Sequence, residues 1–392
     1  MKPPKSIMQN TTFVLPTCPG GTRKVYTFWK GRVALYAILK ALDIGPGDRV
    51  LLPGYTCMVV PSAVMFAGAQ PLYADVEAAS YNVTLGTLEA ALQKCPPPRP
   101  KAVIIQHTYG IPVEAAPIIE WARSEGMPVI EDCAHVKGSS YHGAPCGSLG
   151  DAAFFSSQWN KPISTGLGGW AVANNPAIAD NLRQVRKSFL APNVGEIIRL
   201  RLQVYAHAAL FRPRLFWPLM NLYRRLSEWG ITIGSSCPKE LSLAEPSRYG
   251  KTMSAFQEGL LHRGQTRADA NIKQRRRLTV IYQQELAAAN FSLPLIPPNS
   301  TVTYVRYPVR VKNKDALLSV AQRESMEMGD WFVSPLHPLT DSWEQLAYEK
   351  GSCPMAEELC RTTVNLPTHS KVTTSEARKL LATVTTVGES CD

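Results

Sequence analysis

Residues 101–133 read KAVIIQHTYGIPVEAAPIIEWARSEGMPVIEDC, and the spacing of apolar residues in them changes twice. KAVIIQH is a continuous apolar run of strand length. VEAAPIIEWARSEG spaces its apolar residues for a helix and ends in glycine, and MPVIEDC is again a short apolar run. Two strands without polar alternation, joined by a helix, describe neighbours in a parallel sheet covered on both faces. Ligands of such sheets sit beyond the carboxyl ends of the strands. Here those ends carry His107, Thr108, Tyr109, Gly110, Glu131 and Asp132.

The same alternation runs upstream. GRVALYAILKALDIGPGD places Leu35, Ile38, Leu39 and Leu42 at helical spacing and closes on a Gly-Pro-Gly turn. RVLLPG and QPLYADV read as further buried strands, and Thr84 caps a helix running towards Cys95. Tyr55, Thr56 and Asp75 add polar strand ends. Downstream, FFSSQWNKPISTGLGGWAV (154–172) places Lys161 between two strand-like pieces, followed by Pro162 and by glycines at 166, 168 and 169. A lysine chosen at random lies on a surface loop. One held at the mouth of a sheet offers an amine that forms a Schiff base.

From about residue 265 the texture is that of a smaller α+β unit. YVRYPVRV (304–311) alternates like a half-exposed strand, and KDALLSVAQRESMEMG is an amphipathic helix. CPMAEELCRTTVNLP reads as a helix ending before its proline. The fold class expected is α/β, a mostly parallel sheet flanked by helices with a smaller C-terminal α+β domain. The expected division is an N-terminal arm (1–25), a large domain (26–190), a basic helical insert (191–248) and the small domain (249–392).

Composition narrows the function classes. With 392 residues, 45% hydrophobic and 19% charged, the chain is an ordinary globular protein. Residues 50–74 carry no charge and are long enough to span a bilayer, but Pro53, Gly54, Pro61, Gly68 and Pro71 break them into strand, turn, buried helix and strand. No secretory leader is expected from the N-terminal residues. Nine cysteines form no CxxC pair, which reads as reduced thiols in a cytoplasmic protein. A net charge of +11 suits an anionic partner, but no basic cluster interleaves with aromatics as in nucleic-acid modules. No metal site is expected.

One cofactor fits the residues around Lys161. Pyridoxal phosphate needs an amine for its aldehyde, a carboxylate for its ring nitrogen, donors for its phosphate and a face against its ring. Asp132 closes the strand MPVIED, Ser156 precedes Lys161 by five residues, and Gly31-Arg32 opens the first long helix. The free amides and dipole of that helix start favour an anion.

These pieces, with GDRVLLPGYT, AGAQPLYADVEAASYNV, EDCAHVKGSSYHGAPCGSLGDAAFFSS, NKPISTGLGGWAVANN and VNLPTHSKVTTSEARKL, follow in an order that resembles the DegT/StrS-type sugar aminotransferases of PLP fold type I. The resemblance covers roughly residues 25–190 and 250–385. It implies that Lys161 is the Schiff-base lysine and proton shuttle, and that Asp132 holds the pyridine nitrogen. By the same likeness His135 stands where the family has Gln or His near the phenolic oxygen, Ser156 is a phosphate ligand, and Gly31-Arg32 replaces a Gly-Thr or Gly-Ser pair whose amides hold phosphate. Thr56 belongs to the loop that passes the ring. Cys57 stands in place of the family's ring-stacking aromatic, with Tyr55 and Met58 as neighbouring candidates. Tyr249-Gly250-Lys251-Thr252 matches only loosely the Asn-Tyr-Arg motif that reaches the neighbouring subunit's phosphate.

The implied activity is transamination. An amino acid, L-glutamate by the resemblance, would convert the cofactor to pyridoxamine phosphate, which would aminate a keto-sugar, most often nucleotide-linked. A non-sugar ketone, and a PLP-binding regulatory or scaffold role without turnover, are the alternatives. Sugar deoxygenases of similar sequence carry His at the lysine position, so Lys161 argues against that chemistry. The resemblance also implies a homodimer. Between the matching blocks, residues 194–230 carry arginines at 199, 201, 212, 214, 224 and 225 among bulky apolar residues. Their longest charge-free run, 202–211, is too short to cross a membrane. The segment reads as a lid over the site, a basic amphipathic pair on the inner face of an anionic membrane, or a surface for an acidic partner.

Overall fold

The computed structural model describes residues 24–159, 161–211, 215–228 and 249–391. Most of the N-terminal arm, Arg212, Arg214 and the end of the insert therefore lie outside the described residues. The chain opens with strand β1 (Val25–Phe28), helix α1 (Gly31–Ala41), β2 (Arg49–Pro53) and β3 (Thr56–Cys57). It continues through α2 (Val59–Phe66), β4 (Gln70–Ala74), α3 (Leu85–Gln93), β5 (Ala102–Gln106), α4 (Ala115–Ser124) and β6 (Val129–Asp132). Two short strands, β7 (Ser140–Tyr141) and β8 (Ala144–Pro145), precede β9 (Ala152–Ser156), β10 (Gly169–Ala173) and α5 (Pro176–Lys187).

Seven of these strands form one sheet in the order β1-β10-β9-β6-β5-β2-β4. The five strands from β9 to β4 run parallel, which is what their unbroken apolar sequences require. β10 and β1 extend the edge antiparallel. Thr84 accepts from the Thr87 amide and caps α3 as its sequence indicates.

After α5 come the two insert helices α6 (Val194–Leu210) and α7 (Phe216–Glu228), then the 34-residue α8 (Ala255–Ala288). The remaining elements are β11 (Ser300–Thr301), β12 (Arg306–Arg310), α9 (Lys314–Arg323), β13 (Leu336–His337), α10 (Pro354–Thr362), β14 (Thr363–Pro367) and α11 (Thr374–Val387). TVNLP is thus a strand paired antiparallel with β12 and not the end of a helix. The β-branched run Thr362-Thr363-Val364 disfavours another helical turn. The helix expected through Gly329 stops at Arg323, and Ser325 follows at φ 53°. Among the described residues, no helix is long and apolar enough to cross a membrane.

The junction of α1 with the sheet depends on two glycines. A Cβ on Gly169 would meet Gly31 Cα at 2.4 Å, Gly31 N at 2.5 Å and Phe155 O at 2.6 Å. All three are backbone-defined positions that cannot swing aside. Gly169→Ala should therefore push the start of α1 off β9 and destabilise the fold by about 1–3 kcal/mol, as overpacked sites do. A thermal midpoint equal to wild type would show that the helix start is not held as described.

Candidate active site

Polar residues at the strand ends divide into two groups. Asp75 accepts from the Met355 and Ala356 amides at 2.9 Å each, so it caps α10 and is not available to a ligand. Glu131 accepts from the Gly147, Leu149 and Gly150 amides and from His107 Nε2 at 3.0 Å. With Cys133 these two form a buried cluster within 4.8 Å. Because Val113 N–H donates to His107 Nδ1, the ring donates from Nε2 to the carboxylate. The cluster is accounted for as a hydrogen-bonded brace behind β6.

The other group converges on Lys161, which is half-buried beyond the end of β9. Burial lowers its amine from 10.5 to about 8, against the pull of Asp132 and Cys57, while Arg275 and Arg306 push the same way as burial. Asp132 is 3% exposed at the end of β6 and receives the Ala134 N–H at 2.9 Å. Burial raises its carboxyl to about 6, and the Ala134 amide and Lys161 oppose that rise. The Cys57 thiol is raised by burial, with Arg32, Lys161 and Asp132 all near enough to act on it. Arg32, Cys57, Asp132 and Lys161 therefore lie close enough to act on one another.

Ser156 touches the start of α1, since a Cβ on Gly31 would lie 3.2 Å from Ser156 Cβ. Lys30 at the N-cap makes no side-chain cap bond there. Thr56 Oγ1 donates to Gln106 Oε1 at 2.6 Å, and β3 is fixed by parallel pairing with β13. His135 accepts the Tyr109 N–H at Nδ1, 3.2 Å, which leaves its ring proton on Nε2. Burial holds this imidazole well below its usual range, helped by Lys161 and His337, so it is neutral.

An aromatic surface beside the lysine is supplied by Trp331. Its ring stacks on His135 at 5.4 Å and 10°, and Lys161 Nζ lies 5.1 Å from its centroid. Tyr55 instead points into the core, hydrogen bonded to Tyr109 at 2.8 Å. Sequence reading missed Trp331 because it arrives from the C-terminal region; the adjacent aromatics Trp331-Phe332 were its available signal.

The insert packs close by. A Cβ on Gly166 would meet Val204 at 2.7 Å and Leu200 at 3.0 Å, and His207 packs on Trp159 at 4.8 Å. Lys251, from the loosely matching motif, pairs with Glu196 of α6 at 2.5 Å. On the outer side of α6, Val194, Ile198, Leu202 and Tyr205 are exposed at i, i+4, i+8 and i+11.

The sequence pattern of the DegT/DnrJ/EryC1/StrS aminotransferase family matches residues 20–195 and 240–385. A UDP-N-acetyl-3-dehydro-alpha-D-glucosamine 3-aminotransferase of Acidithiobacillus ferrooxidans is 28% identical over 339 residues, 86% of this chain and 77% of that protein. GDP-perosamine synthase of Caulobacter vibrioides is 39% identical over 163 residues, 42% of this chain and 43% of that protein. Among solved structures, a DegT DnrJ EryC1 StrS aminotransferase of Brucella abortus superposes with a TM-score of 0.70 at 24% identity, over 92% of this chain and 85% of that one.

Proposed function

The chain belongs to the DegT/DnrJ/EryC1/StrS aminotransferase family, and from that membership we propose that it uses pyridoxal phosphate to move the amino group of L-glutamate onto a nucleotide-linked keto-sugar. The observation that carries the cofactor is the half-buried Lys161, its amine near 8, facing Asp132 beside the Trp331–His135 stack. The residues fit the group. Ser156 and the uncapped first turn of α1 suit a phosphate, with Gly31 and Arg32 at that turn. Asp132 suits a ring nitrogen, and Thr56, Cys57, His135 and Trp331 border the ring's space.

Pyridoxal phosphate, when bound, supplies an aldehyde that takes up amines and a ring that withdraws electrons from the neighbouring carbon. Lys161 Nζ takes the proton from the α-carbon of the amino acid and returns one to the carbon that receives the amine. Asp132 keeps a negative charge where the ring is to stay protonated. His135, neutral, donates from Nε2 without adding charge. Overall the amino acid leaves as its keto acid and the ketone leaves as an amine.

The keto-sugar is proposed from the relatives, whose names specify UDP-linked and GDP-linked sugars. The test is spectroscopic. The cofactor's visible band should disappear on adding L-glutamate and return on adding a nucleotide-linked keto-sugar. A band indifferent to every amino acid would remove the proposal, and recovery with a non-sugar ketone alone would change the acceptor class.

We also propose a homodimer in the cytoplasm, with the exposed stripe of α6 facing the second copy, to be read as hydrodynamic mass. Salt-releasable co-sedimentation with anionic vesicles would assign that stripe to a membrane surface instead.

A further inference from the structure

The segment that carries Lys161 is fastened from outside the sheet. Pro162 follows the lysine directly and has no N–H, so its carbonyl is its one backbone hydrogen-bonding group. Asn271 of α8 takes that carbonyl, with Nδ2 donating to Pro162 O at 2.9 Å. Asn271 Oδ1 in turn accepts from Arg275 Nε at 3.0 Å. A carbonyl only accepts and a guanidinium only donates, so both contacts orient the amide the same way. The helix stays close along this stretch. A Cβ on Gly264 would meet Ile163 at 2.6 Å, and Gln257 Nε2 donates to Leu167 O at 2.6 Å. Gly264, Ala268, Asn271 and Arg275 follow at helical spacing, so one face of α8 runs beside the lysine's segment.

Arg275 is 1% exposed and carries the tie further. Its Nη1 donates to Val305 O at 2.7 Å, to Thr368 Oγ1 at 2.8 Å and to Tyr304 O at 3.4 Å. Tyr304 and Val305 lead into β12 and Thr368 follows β14, so the guanidinium clasps the paired ends of these two strands. The next residue, Arg306, stands 5.4 Å from the centroid of Trp331 and donates to Glu327 Oε1 at 2.9 Å. One end of the small sheet thus borders the ring beside the lysine and, through Arg275 and Asn271, braces the backbone that carries the lysine. A lysine has a long flexible stem, and its amine is placed only as well as its backbone is.

We propose that Asn271 is a positioning residue for amino transfer: by holding Pro162 O against the Arg275 brace, it sets where Lys161 Nζ stands relative to the reacting carbon. This rests on the transamination proposed above and adds which residue places its lysine.

The test substitutes Asn271→Asp, which keeps an acceptor for Arg275 Nε and nearly the same shape but has no N–H for Pro162 O. Hydrogen exchange of residues 157–168 in the cofactor-free protein should quicken severalfold, with the strands of the main sheet unchanged. With L-glutamate, kcat should fall about 10- to 100-fold, the cost of misplacing a reacting group by roughly 1 Å, while KM stays within about twofold. The pH midpoint of pyridoxal phosphate uptake, near 8 in the native protein, should rise, because a loosened amine meets more water and the new carboxylate favours its charge. A merely structural contact would lower the thermal midpoint and leave the pH midpoint and the kcat of the folded protein unchanged. Native kcat in the folded variant overturns the proposal, whatever the exchange shows. If Asn271→Asp does not fold, the shorter Asn271→Ser, which leaves Arg275 Nε to water, is read in the same way. A cofactor band indifferent to every amino acid would instead bring down the function, and exchange with the pH midpoint would then decide Asn271.

Discussion

Lys161→Ala is expected to abolish amino transfer while leaving the protein folded and able to bind cofactor. Removing a proton-transfer group costs on the order of 10²–10⁴ in rate by itself, and here the same amine is also the point of covalent attachment in the proposed chemistry. The fold should tolerate the change, because the contact made by Nζ is the face of Trp331 and not a buried salt bridge. Burial disfavours charge on this amine more than Asp132 and Cys57 favour it, so its loss removes a cation held at a net cost. In the native protein the neutral amine is the reactive form, and its pKa near 8 sets a pH signature. Uptake of pyridoxal phosphate should accelerate as pH rises towards 8 and level off above it, and the alanine variant should lack that dependence. Single-turnover absorbance after mixing with L-glutamate is the measurement. Wild-type rates in the variant would remove Lys161 from the mechanism.

The parts of the site that were legible in sequence are those fixed by the parallel sheet. Asp132 and Ser156 end strands whose continuous apolar runs announce burial on both faces, and the end of such a strand is a position with chemical meaning. Lys161 stood out through its local setting, between two strands and beside Pro162. Asp75 and Glu131 look the same in sequence and do something else, because their partners, the amides of Met355 and of Gly147, are set by tertiary contacts.

Trp331, Arg306 and Glu327 were not legible. They reach the cleft from a region more than 140 residues beyond Lys161, by packing that leaves no period in the sequence. YVRYPVRV alternates like a half-exposed strand, whereas β12 is buried along four of its five residues. A period-two pattern reports one wet face, and here the second face is covered as well. The long helix α8 was overlooked despite the capping box that Ser254 and Gln257 form at its start, a signal present in the sequence as Ser-x-x-Gln.

Asp132→Asn should slow the chemistry with L-glutamate on the order of 10²–10³-fold, the cost of losing one preorganised electrostatic group, without unfolding the chain. Asparagine keeps an oxygen for the Ala134 amide and nearly the same shape, so β6 and its turn have no reason to move. What disappears is charge. With its carboxyl near 6, Asp132 is ionised roughly ten to one at pH 7, and a neutral amide cannot keep a pyridine nitrogen protonated. The substitution has a second consequence with the opposite sense. Asp132 is the leading charge that holds the Lys161 amine up against burial. Without it the amine should fall further below 8, and the pH midpoint for cofactor uptake should move to lower pH. The two readouts separate two roles. A lowered midpoint with slow chemistry places Asp132 on both the lysine and the ring. A lowered midpoint with wild-type rates would confine it to the lysine, and another group would have to hold the ring nitrogen.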